Sequence, residues 1–147
     1  MTTLVDSNVW LALALSKHDF HYATNAWLAS RRAGDTVLFC RATQISFLRL
    51  LTTRAVFVPY GINPLSNKAA WSTYEKFTAD KRIGWVHEPP GLESNWKNLA
   101  ANSKASPKLW MDAYLAAFAL AGSHELVTTD AAFKQFTGLK LSVLAKT

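Results

Sequence analysis

Three aspartates carry the chemistry open to this chain. Asp112 is the only charged residue between positions 109 and 121, in a run of helix formers and aromatics that reads Leu-Trp-Met-Asp-Ala-Tyr-Leu-Ala-Ala-Phe-Ala-Leu-Ala. A helix apolar on nearly every face is normally buried, and an ionised carboxylate taken out of water is costly unless a basic side chain, a helix terminus or a metal ion compensates it. Asp6 and Asp130 each follow a short β-prone run and precede helical sequence, where an Asp also serves as an N-cap, a role compatible with binding a ligand. Should the three converge, their mutual repulsion makes sense only if a cation neutralises them or one keeps a proton. A few hard oxygen ligands completed by water suit Mg²⁺ or Mn²⁺, which polarises a phosphate and acidifies a bound water. The chemistry implied is metal-dependent hydrolysis of a phosphodiester.

The elements that must position these acids alternate. A strand over 2–5 runs into Asp6-Ser7-Asn8 and a buried helix over 9–15, and a second helix follows over 20–32. Residues 37–40 read as a strand and 42–53 as a third helix with Gln44 in its first turn. The prolines and glycine of 56–64 predict a loop, and Asn63-Pro64 predicts the start of a helix to Thr78. A strand over 83–87, a short helix over 92–101 and a polar loop over 102–108 lead to the Asp112 helix; strands over 125–128 and 139–144 complete the chain. With no internal repeat and no dividing linker, this order predicts a single domain over 1–147, an α/β fold with a mainly parallel sheet flanked by helices. Ligands of such sheets bind beyond the carboxyl ends of the strands, at the topological switch point, where Asp6 and Asp130 both belong.

Composition narrows the partners. Sixteen Lys and Arg against ten Asp and Glu give a net charge of +6, which favours a polyanion. Six tryptophans are more simply core residues than platforms for unpaired bases. The single cysteine, Cys40, excludes an internal disulfide and fits a reducing compartment, and no apolar run approaches the roughly 20 residues that span a bilayer. The expectation is a cytoplasmic protein with no membrane partner. Its four histidines show no metal-ligand spacing, and Arg31-Arg32 and Lys81-Arg82 read as solvated helix ends.

Four segments in register carry a family resemblance: Leu4-Val5-Asp6-Ser7-Asn8-Val9, Thr43-Gln44-Ile45-Ser46-Phe47-Leu48-Arg49-Leu50-Leu51-Thr52, Leu109-Trp110-Met111-Asp112-Ala113-Tyr114-Leu115-Ala116-Ala117 and Leu126-Val127-Thr128-Thr129-Asp130-Ala131-Ala132-Phe133. Over essentially the whole chain the sequence resembles PIN-domain ribonucleases of the VapC toxin type. The resemblance implies a three-layer α/β/α fold, RNA cleavage with Mg²⁺ or Mn²⁺ held by Asp6, Asp112 and Asp130, and the role of toxin in a bacterial toxin–antitoxin pair. Its implied partners are RNA, a cognate antitoxin and a second copy of the chain in a homodimer.

The sequence departs from that pattern in two places. Gln44 stands among the catalytic positions where the family commonly has Glu, so it can accept a hydrogen bond but brings no charge and cannot act as a base. Ala132 stands where some members carry a further acid. Ser7, Asn8 and Thr129 flank the acids and could orient ligand or water, and Arg41 or Arg49 could reach RNA phosphate. The alternative is a PIN-like RNA-binding module with weak or no catalysis, its site one charge short at Gln44. A phosphatase using Asp6 as nucleophile fits less well, because Asn8 stands where that class places a second acid.

Overall fold

The strands are short, three or four residues each, and the three over Thr2–Val5, Thr36–Phe39 and Glu125–Thr128 each end in three consecutive buried residues, the pattern of a parallel sheet covered on both sides. A computed structural model describes residues 1–146. Its elements in chain order are β1 (Thr2–Val5), α1 (Ser7–Ala14), α2 (His21–Ala29), β2 (Thr36–Phe39), α3 (Arg41–Leu51), α4 (Arg54–Phe57), α5 (Asn67–Thr78), β3 (Ile83–Trp85), α6 (Leu92–Ala100), α7 (Leu109–Gly122), β4 (Glu125–Thr128) and β5 (Leu141–Val143). Short 3-10 helices at Val58–Tyr60 and Ala131–Gln135 follow α4 and β4.

The five strands form one sheet in the order β3-β2-β1-β4-β5, every pair parallel. Leu4 of β1 lies opposite Leu38 on one side and Leu126 on the other. The chain therefore builds from β1 outward through β2 to β3, then crosses over to add β4 and β5 on the far side. The reversal leaves a crevice at the carboxyl end of β1, where the strand-end acids were expected to meet.

Side-chain alternation divides the sheet between two cores. Val5, Val37, Phe39 and Val127 face a cluster with Trp10 of α1, Phe47 of α3 and Tyr74 of α5. Leu4 and Leu126 face a second cluster with Leu115, Ala116 and Phe118 of α7. The result is the three-layer α/β/α architecture, with Trp10 stacked on Phe39 at 3.8 Å between ring centroids. Of the six tryptophans, Trp10 and Trp27 are buried and Trp85 and Trp96 pack half-buried against the two cores, so core packing accounts for four of them, whereas Trp71 and Trp110 are exposed.

Several boundaries are shorter than expected, with α2 ending at Ala29, β3 at Trp85 and β5 confined to Leu141–Val143, and two further differences have a visible cause. The segment predicted as a loop after residue 56 is tightened into α4 and a 3-10 helix that takes Pro59 at its start, a position where the missing N–H does no harm. Helix α5 begins three residues late, because Leu65 N–H is tied to Leu51 C=O and Ser66, not Asn63, caps it by accepting from Ala69 N–H at 3.1 Å. Among the described residues no helix is long and apolar enough to cross a membrane.

Candidate active site

Asp6 ends β1 in extended conformation (φ −63°, ψ 145°), and its backbone C=O starts α1 by accepting from Val9 and Trp10 N–H. Its side chain closes no cap hydrogen bond. Instead Oδ2 accepts from the Thr128 hydroxyl at 2.7 Å, with both groups buried. The same Thr128 oxygen accepts the Asp130 N–H at 3.0 Å, so one hydroxyl at the end of β4 fixes Asp6 and the backbone of Asp130 together. Asp130 does cap: Oδ1 accepts from Ala132 N–H at 2.9 Å and opens the 3-10 helix, leaving its other oxygen free of such a bond.

Asp112 lies in the first turn of α7, on the side of the helix that meets the strand ends. The Ser106-Pro107 start signal holds, with Leu109 N–H bonded to Ser106 C=O. Asp112 and Asp130 line a cleft of about 570 Å³ with Lys108 and Gln135. Asp6, only 6% exposed, is not on its wall.

Asp112 senses the charges of both other acids, and Asp6 senses that of Asp130. Burial lifts Asp112 from an ordinary value of 3.8 to about 6, and the charges of Asp6 and Asp130 add to the rise. Burial also raises Asp6, against the pull of the Thr128 hydroxyl, and Asp130 again pushes it upward. A carboxylate near a helix N-terminus is normally stabilised by the helix dipole, so for Asp112 desolvation and like charge outweigh that benefit. Among the described residues Asp112 has no hydrogen-bond or ion-pair partner, which removes the basic side chain and the cap from its possible compensations. Nor do three or more His, Cys, Asp or Glu side chains gather tightly enough, among the described residues, to form a ready-made metal cage. The acids share a field, not a closed ligand shell.

Gln44 is buried in the first turn of α3, at the end of β2. Its Oε1 accepts from the Arg41 guanidinium, so the amide is committed to a protein partner. Sequence reasoning missed this i, i+3 pair. It also missed Thr128, the polar end of an otherwise apolar strand, and looked to Thr129; the side chains of Ser7, Asn8 and Thr129 hydrogen-bond to none of the acids among the described residues. Arg49 lines a separate groove with Trp71, away from the acids.

The comparisons agree with this fold. A family model for the PIN domain matches residues 3–139. The chain is 54% identical over 144 residues, 97% of its own length and 99% of the relative's, to Ribonuclease VapC41 of Mycobacterium tuberculosis in two strains. Its fold is similar to that of VapBC2 from Rickettsia felis bound to a promoter DNA fragment (TM-score 0.66, 14% identity, covering 99% of this chain and 100% of that one). It is also similar to that of VapC20 from M. tuberculosis, a sarcin–ricin loop cleaving toxin (TM-score 0.66, 17% identity, covering 97% and 99%). With its acids presented at the switch point of a parallel sheet and its length matched almost throughout, the chain belongs to the PIN-domain family, among the VapC ribonucleases.

Proposed function

We propose that this single PIN domain is a metal-dependent endoribonuclease, the toxin of a bacterial toxin–antitoxin pair. The observation that carries it is Asp112: a carboxylate partly withdrawn from water, pushed up to about 6 by burial and by Asp6 and Asp130, with no protein group among the described residues to neutralise it. Such a site fits a hard divalent cation, since its charged donors are all carboxylate oxygens. Mg²⁺ and Mn²⁺ keep several waters and bind through few carboxylates, which suits acids that share a field without closing a shell. Asp6, Asp112 and Asp130 would hold the ion, which supplies Lewis-acid stabilisation of the phosphodiester and activation of water.

The chain's own residues do the positioning. Thr128 locks the Asp6 carboxylate and the Asp130 backbone in one hydrogen-bonded unit. Asp112 comes from α7, rigid because Ala113 and Leu115 to Ala119 are buried beneath it. The net charge of +6 draws the polyanion toward an acidic centre that would otherwise repel it. The named relative is a ribonuclease, and one similar fold is that of VapC20, a toxin; exposed Trp71, Trp110 and Met111 support a cognate antitoxin and a second copy as partners here.

The pure protein should cut RNA with Mg²⁺ or Mn²⁺ and lose that activity with EDTA or on Asp112→Asn. Metal-dependent cutting that survives both Asp6→Asn and Asp112→Asn would overturn the assignment. One observation favours the second reading, an RNA-binding module: Gln44 adds no charge, and Arg41 occupies its oxygen. RNA binding without cleavage in the wild type, with cleavage restored by Gln44→Glu, would establish it.

A further inference from the structure

A second cleft, of about 670 Å³, opens at the carboxyl ends of β2 and β3, within the volume range of small-molecule sites. Its wall carries Arg41, Trp85, His87, Glu88 and Tyr114. The Arg41 guanidinium lies over the Trp85 ring, 4.5 Å from its centroid, and among the described residues its only hydrogen bond is to the neutral amide of Gln44. Glu88 accepts from the neutral Tyr114 hydroxyl at 2.8 Å through Oε2 alone. Among the described residues neither Arg41 nor Glu88 enters an ion pair. The cleft thus holds two exposed opposite charges, each tethered to a neutral group, beside a flat cation–aromatic platform.

Resting on the nuclease reading above, we propose that this cleft is a nucleobase subsite that reads guanine in single-stranded RNA close to the cut phosphodiester. Unpaired bases are recognised by stacking on aromatic or guanidinium planes and by hydrogen bonds to their Watson–Crick edges. Guanine alone offers two adjacent N–H donors there, at N1 and N2, matched to the carboxylate of Glu88. Adenine sets an acceptor nitrogen beside its donor, and cytosine and uracil likewise pair a single donor with acceptors, which a carboxylate repels. Position supports RNA over a protein occupant. The edge of the sheet runs without interruption from Asp6 at β1, past Gln44 and Arg41 at β2, to Glu88 beyond β3, and two strand spacings are only about 10 Å. That is the reach of a neighbouring nucleotide.

The test uses the full chain with short uridine-rich RNAs containing a single guanine or adenine, read in two ways. Fluorescence anisotropy on Asp112→Asn in EDTA measures binding; initial rates with Mg²⁺ measure the guanine-to-adenine ratio of kcat/KM. We expect guanine to be preferred at one position, and Glu88→Gln to reduce that preference about tenfold or more, as the loss of a bidentate base contact does. Arg41→Ala should weaken binding of both RNAs by removing the platform. Guanine-selective binding that depends on Glu88, in a protein that cuts nothing, supports the subsite while refuting the nuclease. Cleavage with no base preference, or with a preference that Glu88→Gln leaves intact, refutes the subsite while keeping the nuclease, and returns the cleft to a protein partner.

Discussion

Replacing Asp112 with Asn should stabilise the metal-free protein at alkaline pH. The folded carboxyl is lifted from 3.8 to about 6, so the folded state holds this proton more tightly than the unfolded chain does. The resulting stabilisation is complete below about pH 3.8 and is lost as pH rises through about 6; above that the charged side chain is a liability in the fold. At about 1.36 kcal/mol per pKa unit the full shift corresponds to roughly 3 kcal/mol. Asp112 is only partly buried and water screens it, which reduces the effect to about 1–2 kcal/mol, or roughly 3–6 °C in Tm for a chain of this size. Asn keeps the shape, removes the charge and can be hydrated from the cleft. Urea denaturation in EDTA should therefore show Asp112→Asn more stable than wild type at pH 8, with the gap closing toward pH 4. Adding Mg²⁺ should stabilise wild type more than the variant and narrow the gap from the other side. A variant no more stable than wild type at pH 8 in EDTA, or a gap that ignores pH, would refute the claim that Asp112 is an uncompensated charge.

Three further outcomes follow from named contacts. Thr128→Val keeps the volume but removes the donor to Asp6 and the acceptor of Asp130 N–H; it should cost about 1.5–3 kcal/mol in denaturant unfolding and slow RNA cleavage about 10–100-fold, and wild-type rates would remove Thr128 from the site. Gln44→Glu places a carboxylate against Arg41, so the added charge should be largely neutralised locally, and the Mg²⁺ concentration for half-maximal cleavage should move by less than about tenfold, or about 1.4 kcal/mol; a larger drop would mean that the new carboxylate faces the ion and not Arg41. Trp10→Ala removes a fully buried ring stacked on Phe39 and should cost about 3–5 kcal/mol by chemical denaturation, without changing the metal dependence of the folded fraction.

Much of the scaffold was legible because the local signals agreed. The β-prone run before Asp6, the apolar run of α7 and the Ser106-Pro107 start each named an element that formed where read, and their alternation implied the parallel sheet. Strand order was not legible, because register depends on packing between segments far apart in sequence. The start of α5 was misplaced for a similar reason: Asn63-Pro64 is a sound local signal, but the tie between Leu65 and Leu51 overrides it from outside the segment. At the candidate site, the acids singled out by the sequence lie in one region of the fold, whereas the residue that holds two of them was missed. Thr128 looks like an ordinary strand residue until β1 and β4 lie side by side, and only then does its hydroxyl face Asp6. Gln44 was recognised as a missing charge, whereas its engagement by Arg41 depends on side-chain direction in the first turn of α3.

The pairing of β1 with β4 also sets when the proposed site can be complete. Thr3 lies opposite Val37 on one side and Glu125 on the other, so the first strand synthesised gains β2 early but waits through most of the chain for its second neighbour. Until β4 emerges, Asp6 has no Thr128 to hold it and no Asp130 beside it. Contacts this distant in sequence form late and close only when the intervening segments have folded. The proposed site is thus completed only after most of the chain has been made. Products of premature termination before β4 keep the first acid and never acquire the last.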